Sequence, residues 1–262
     1  MCIRDRNTGV DTTVADTVKV TNTYKAPEVT DETFAKDGTT TITSKYDELT
    51  YTISYSSTVT DYKGDATLTI VDKLPYEIDE AKSDLNGGTY DANAKTITWT
   101  ERITGIDTYA NGAKNIEESK TIKVVYVGMD VTSGTFKNTA QGSLKFDETG
   151  KEDPTDPSEE TTTQNFKKKI TVIKEWEGEG NEAGSVRPSN VTINLENGAK
   201  AELTSANAVE GNTNQWSKEV EVDKYSKDGK ELTYGYVNET STDTNKFASY
   251  TNTGVDLSLI HI

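Results

Sequence analysis

Apolar and polar residues alternate along much of this chain. In Leu49-Thr-Tyr51-Thr-Ile53-Ser-Tyr55 the apolar side chains take the odd positions, and in Leu68-Thr-Ile70-Val-Asp72-Lys-Leu74 the even ones. A period of two sends successive side chains to opposite faces, so each run predicts a strand with one buried and one wet face. Similar runs occur at 95–103, 120–127, 168–176, 189–195, 215–222 and 230–239. Turn residues separate them: Lys-Gly-Asp at 63–65, Asn-Gly-Gly at 86–88, Asn-Gly at 111–112 and 197–198, and Asp-Gly at 228–229. Only residues 77–85 (EIDEAKSDL) predict a short helix. Short strands with regular turns predict an all-β chain of two Ig-like or prealbumin-like β-sandwich domains in tandem.

Composition sharpens this. Hydrophobic residues make up 32% of the 262, too few for one large core but enough for two thin sandwiches. Two polar stretches mark boundaries. Residues 149–165 (TGKEDPTDPSEETTTQN) carry two of the five prolines and read as an acidic linker, and KAPEVTDE at 25–32 reads as a shorter break. The expected layout is a terminal strand within 7–25, a linker at 26–31, a middle domain at 32–148, the acidic linker at 149–165 and a third domain at 166–256.

A repeat frames this layout. Residues 7–11 read Asn-Thr-Gly-Val-Asp, and residues 252–256 read the same, with the match stopping at Arg6 and Leu257. The flanking peptides MCIRDR (1–6) and LSLIHI (257–262) resemble translated adapter sequence capping a metagenomic reading frame. The lone Cys (Cys2) and lone His (His261) both lie in these caps. Without them the chain holds no disulfide, Cys nucleophile, His base or nitrogen/sulfur zinc site. The repeat also implies that residues 12–24 are the last strand of a preceding copy of the third domain. The third domain is then expected to lack its own last strand, and residues 17–24 are expected to fill that slot, in this chain or a neighbour.

Polar residues on apolar faces carry the candidate chemistry. In the middle domain Lys36 is in phase with Phe34, Asp72 with Leu68, Ile70 and Leu74, and Asn138 with Phe136 and Ala140. In the third domain Lys174 is in phase with Ile170, Val172 and Trp176, and Glu239 with Val237; Asn22 shares a face with Val18 and Val20. Each set offers a Lys on a first strand, an Asn on a last strand and an acid between. A buried ammonium or carboxylate tends to neutralise, and a neutral buried Lys is a nucleophile. Beside an Asn carboxamide it can attack the carbonyl carbon and expel ammonia, with the acid shuttling the proton. The product is an isopeptide bond tying first strand to last.

The third domain resembles the B-type repeat of collagen-adhesin-like surface proteins (Cna-B). The residues that carry this are Ile170-Thr-Val-Ile-Lys174-Glu-Trp176, Arg187-Pro188-Ser-Asn-Val191-Thr-Ile193-Asn-Leu195, Trp216, Tyr225-Ser-Lys-Asp-Gly-Lys-Glu231 and Tyr236-Val-Asn-Glu239. The resemblance implies the isopeptide Lys at Lys174, its Glu at Glu239 and its Asn at Asn22, the last from the preceding copy. Gly235 and Tyr236 depart from the usual alternation before the Glu. The middle domain resembles A-type, fimbrial isopeptide-forming domains through Leu49-Thr-Tyr51, Ile70-Val-Asp72-Lys-Leu-Pro75, Thr96-Ile-Thr-Trp99 and Phe136-Lys-Asn138-Thr-Ala140. Its Lys, Asp and Asn fall on Lys36, Asp72 and Asn138.

Together these imply an extracellular stalk of a Gram-positive, cell-wall-anchored adhesin or pilin-like protein. Its cross-links form by self-catalysis, and its partners are neighbouring domains and an unidentified surface ligand. No cofactor is expected. A net charge of −16 sets nucleic acid and anionic membrane aside as partners. A glycan- or matrix-binding module is the alternative, with Tyr90, Trp99 and Tyr109 as a candidate aromatic platform, although Trp99 is in phase with Ile97 and reads as core. Hydrolysis by Glu117 and Glu118 or by Asp153 and Asp156 is disfavoured because these acids read as lying in loops and the linker, and metal binding by Asp153, Asp156 and Glu159 because the sequence there has no loop of the EF-hand type.

Overall fold

The computed structural model describes residues 20–132, 134–179 and 185–254. The two caps, the first copy of the repeat, Cys2 and His261 lie outside the described residues. The chain divides into two compact units, one reaching residue 129 and including 135–163, the other holding 130–134 and everything from 164.

The first unit holds β1 (Glu28–Gly38), β2 (Thr41–Ile42), β3 (Leu49–Thr60), β4 (Lys63–Lys73), β5 (Glu77–Ile78), β6 (Thr89–Asp91), β7 (Thr96–Asp107), β8 (Lys114–Val124), β9 (Tyr126–Val127), β10 (Gly134–Phe146), β11 (Glu152–Pro154) and β12 (Ser158–Gln164). One sheet has the order β1-β3-β8; a second runs β2-β12-β10-β4-β7-β6 with β11 also pairing β10, and β5 pairs with β9 in a small two-stranded sheet. The predicted alternation sets both inner faces. On β3, Leu49, Tyr51, Ile53, Tyr55 and Val59 are buried, and on β4, Ala66, Leu68 and Ile70 are. Each large apolar side chain so removed from water contributes roughly 1.5–3 kcal/mol.

Three expectations change here. The acidic stretch 149–165 is not a linker: it forms β11 and β12, and β12 lies between β2 and β10. Its inward positions are polar, which is why composition reads it as exposed. They are buried because each is hydrogen-bonded: Thr162 Oγ1 donates to Thr39 O at 2.7 Å, and Thr155 Oγ1 accepts from Gly142 N at 3.0 Å. The break at 26–31 is likewise short, since β1 begins at Glu28 and Pro27 is already buried. Residues 77–85 give β5 and a single 3-10 turn at Glu80–Lys82 with no buried residue, because a helix there has no apolar stripe to pack.

The second unit holds β13 (Lys167–Glu175), β14 (Asn190–Leu195), β15 (Lys200–Thr204), β16 (Ala208–Val209), β17 (Asn212–Asp223) and β18 (Tyr236–Thr240). Its sheets run β13-β17-β16 and β15-β14-β18. Ile170, Val172, Val191, Ile193, Leu203 and Val222 fill the core around Trp176 and Trp216, whose rings meet edge-to-face at 5.0 Å. The strand expected over 230–239 begins only at Tyr236. Upstream, the Asp228-Gly229 turn closes a loop, with Ser226 N donating to Lys230 O at 2.7 Å and Gly229 at φ 74°.

For its described part, residues 20–24, the ladder expected within this chain is corrected. Residues 17–19 lie outside the described residues; 20–27 form no strand, and Val20 and Tyr24 are 57% and 60% exposed. The described strands of the second unit pair only with one another. An isolated strand gains nothing from its alternation without a sheet edge to pair with.

Candidate cross-link sites

Lys36 sits on β1 opposite Ile53, and Asp72 sits on β4 between Ala140 of β10 and Ile97 of β7. The two residues come from different sheets and meet in the interior. Lys36 Nζ is 2.5 Å from Asp72 Oδ1, and neither side chain has exposed surface. Asn138, on β10, is fully buried, and its Nδ2 donates to Asp72 Oδ2 at 3.3 Å. The three residues singled out from alternation therefore converge on one point. Burial pushes the Lys36 amine below its ordinary pKa and the Asp72 carboxyl above its own, each only partly offset by the other's charge. Both directions favour a neutral amine beside a carboxylic acid.

Tyr51 forms one wall. The Lys36 ammonium lies over its ring, 4.8 Å from the centroid, and its hydroxyl is 3.3 Å from Thr162 Oγ1. Sequence reading missed Tyr51 and Thr162. A tyrosine in the buried phase of a strand reads as packing, and Thr162 lies in the stretch that composition marks as a linker.

In the second unit Lys174 of β13 reaches Glu239 of β18, with Nζ–Oε distances of 3.0 and 3.1 Å. Their side chains are 16% and 9% exposed, and the ammonium lies 5.1 Å from the Trp176 ring centroid. This pair also bridges two sheets, since Glu239 faces Ile193 on β14. Asn22 is exposed and in no strand.

A further buried pair closes the second unit. Arg187 Nε donates to both oxygens of Glu179 at 2.8 and 2.7 Å, and Nη2 adds a third contact. Tyr250 OH donates to Glu179 Oε1 at 2.5 Å, and Arg187 lies over the Trp176 ring. The signal for this pair in the sequence is the Arg-Pro step before β14, a family motif that by itself names no partner.

The other candidates do not assemble. Trp99 is buried, its Nε1 donating to Leu85 O at 3.0 Å, which leaves Tyr90 and Tyr109 without a platform. Glu118 pairs with Lys120 at 3.0 Å and Glu159 with Lys137 at 2.6 Å. Among the described residues no group of three or more His, Cys, Asp or Glu is placed to hold a metal, and no helix is long and apolar enough to cross a membrane.

Residues 170–258 match the family model of the Cna protein B-type domain. No curated protein sequence matches the chain. Similar solved structures include the full-length major pilin SpaD from Corynebacterium diphtheriae, at 19% identity and TM-score 0.35 over 77% of this chain and 53% of the pilin. The alignment thus spans about half of that pilin's length. An adhesin from Mobiluncus mulieris containing intramolecular disulfide, isopeptide and ester cross-links aligns at 14% identity and TM-score 0.36, over 80% of this chain and 79% of the adhesin. BcpA, the major pilin subunit of Bacillus cereus, aligns at 12% identity and TM-score 0.32, over 85% of this chain and 68% of the pilin. The described residues form an all-β fold, and residues 170–258 are similar to the Cna protein B-type domain.

Proposed function

We propose that this chain is part of the stalk of a surface adhesin or pilin-like protein, held at a cell wall and stiffened by self-formed Lys–Asn isopeptide bonds. The observation that carries the reading is the meeting of Lys36, Asp72 and Asn138 in a fully buried site. Burying an amine and a carboxyl together is costly unless the site gives something in return. A stalk outside the cell that lacks cysteine pairs gains a covalent tie that no reductant opens.

The chemistry balances within the site. With the proton on Asp72, the lone pair of Lys36 Nζ adds to Cγ of Asn138. Asp72 gives its proton to the departing nitrogen and takes one from the attacking nitrogen. The Cγ–Nδ2 bond breaks, one amide forms, and one ammonia leaves. Lys174 and Glu239 are the corresponding amine and acid of the B-type domain, awaiting an Asn on a strand that residues 20–24 do not supply in this chain. The Cna B-type match supports the placement among surface proteins, and the buried triad supports the cross-link.

Intact-mass measurement tests the reading. The chain is expected to weigh less than its sequence by one ammonia, with a branched peptide joining Lys36 to Asn138 after proteolysis. A chain at full sequence mass overturns it.

A further inference from the structure

Two strands of the second unit end their sheets on the same side. Among the described residues β13 pairs only with β17 and β18 only with β14, yet Lys174 of β13 meets Glu239 of β18 at 3.0 Å. The two open edges therefore flank one seam of the sandwich. Trp176 N donates to Asn214 O at 2.9 Å, which fixes the phase of the β13–β17 ladder. Alternate residues of an antiparallel pair bond to the partner strand, so Thr171, Ile173 and Glu175 turn their backbone N–H and C=O groups toward the open edge. Beside the Lys174–Glu239 pair, the Trp176 indole N–H is buried with no hydrogen-bond partner, its ring centroid 5.1 Å from the Lys174 ammonium. A buried donor left unmatched is costly, and a strand laid along this seam brings carbonyl oxygens to it.

The chain also carries a segment suited to that edge. Residues 18–24 (Val-Lys-Val-Thr-Asn-Thr-Tyr) alternate apolar and polar, with Asn22 in the apolar phase. Their described part, 20–24, forms no strand and leaves Val20 and Tyr24 exposed. The segment follows the pentapeptide at 7–11, whose second copy at 252–256 follows the second unit's own strands. We propose that residues 18–24 of one copy of this chain dock on the β13 edge of a second copy. They add a strand to its second unit, with Val20 turned inward and Asn22 set beside Lys174 and Glu239. Main-chain bonds to an unpaired edge supply the affinity, and the alternate side chains supply the register. The Asn22 carboxamide offers a donor to Glu239 and an acceptor to Lys174. Docking requires no covalent step and stands apart from the cross-link reading. Donor segment and acceptor edge lie in different parts of the chain, so the contact is heterologous and copies join head to tail in an open series.

Sedimentation of the full chain over a range of concentrations tests this, with Val20→Asp as the variant that lacks a competent donor strand. Val20 is exposed and outside any strand, so the substitution leaves both units intact. Wild type is expected to form dimers and longer series as concentration rises, and Val20→Asp to remain monomeric. The variant keeps its β13 edge. A synthetic peptide of residues 12–25 is therefore expected to bind it one to one and to slow amide exchange at Thr171, Ile173 and Glu175, with exchange in the first unit unchanged. A peptide of the same composition in scrambled order is expected not to bind. Wild type that stays monomeric at every concentration overturns the inference, as does Val20→Asp that associates like wild type. Equal binding by the scrambled peptide, or protection that falls on the first unit instead of β13, overturns it too.

Discussion

Lys36 and Asp72 meet 2.5 Å apart across the interior of the first sandwich, one from each sheet, with no exposed side-chain surface on either. An ion pair in that position is weak evidence for stability, because desolvating both charges offsets much of their attraction. On the proposed reading its value is chemical: once the proton sits on the acid, the amine is a nucleophile and the carboxyl a proton donor.

Asp72→Asn tests that directly. The substitution keeps the shape of the side chain but removes the acid. The variant is expected at full sequence mass, with no Lys36–Asn138 branched peptide. A loop of about 100 residues closed by a covalent bond contributes about 4–5 kcal/mol on the chain-entropy model. Denaturant unfolding of the first unit is expected to show a loss of that order relative to wild type.

The second unit predicts a count. Lys174 and Glu239 are in place, but Asn22 is exposed and outside any strand. The purified chain is expected to lose one ammonia, not two, and Lys174→Ala is expected to leave that loss unchanged. Loss of a second ammonia that disappears with Lys174→Ala or Asn22→Ala contradicts the prediction.

Much of this is legible in the chain. Lys36, Asp72 and Asn138 stand out because charged and amide groups on an apolar phase break a pattern that packing alone would keep. The converse explains the misses. Thr155, just after β11, and Thr162, on β12, face inward without being apolar, so this stretch carries no hydrophobic period to read. Tyr51 obeys the pattern and so gives no signal beyond packing. The Glu179–Arg187 pair joins two loops, and no periodicity links loop residues to their partners.

That pair gives a pH prediction. The Arg187 guanidinium, through its hydrogen bonds, holds the Glu179 carboxyl below its ordinary value of 4.5. A carboxyl depressed in the folded state contributes stability that is present above pH 4.5 and lost as pH falls through the lower folded value. Tyr250 runs the other way: burial and the adjacent Glu179 push it from 10.0 up to about 12, so its contribution is present below pH 10 and lost as pH rises through about 12. Unfolding of the second unit, followed by Trp176 and Trp216 fluorescence, is expected to weaken at both extremes. Glu179→Gln is expected to flatten the acid limb. Arg187→Ala, which leaves a buried carboxylate unpaired, is expected to cost about 3–5 kcal/mol at neutral pH.

The boundary of the first unit can be tested by truncation. Composition places the end of the middle domain at residue 148, whereas β12 extends the sheet to Gln164. Removing residues 149–165 strips β12 from between β2 and β10 and exposes the backbone edge of β10 beside Asn138. It also removes Thr162, which meets Tyr51, and Ser158, whose Oγ accepts from Lys36 N at 2.9 Å. Water then reaches the amine and acid, and the force that lowers the Lys36 pKa is weakened. A chain covering 26–148 is expected to be aggregation-prone through its open edge and to retain full sequence mass. A chain covering 26–165 is expected to unfold cooperatively and to lose one ammonia. If the shorter chain matures as completely as the longer one, β12 is dispensable for the site and the acidic stretch acts only as a spacer.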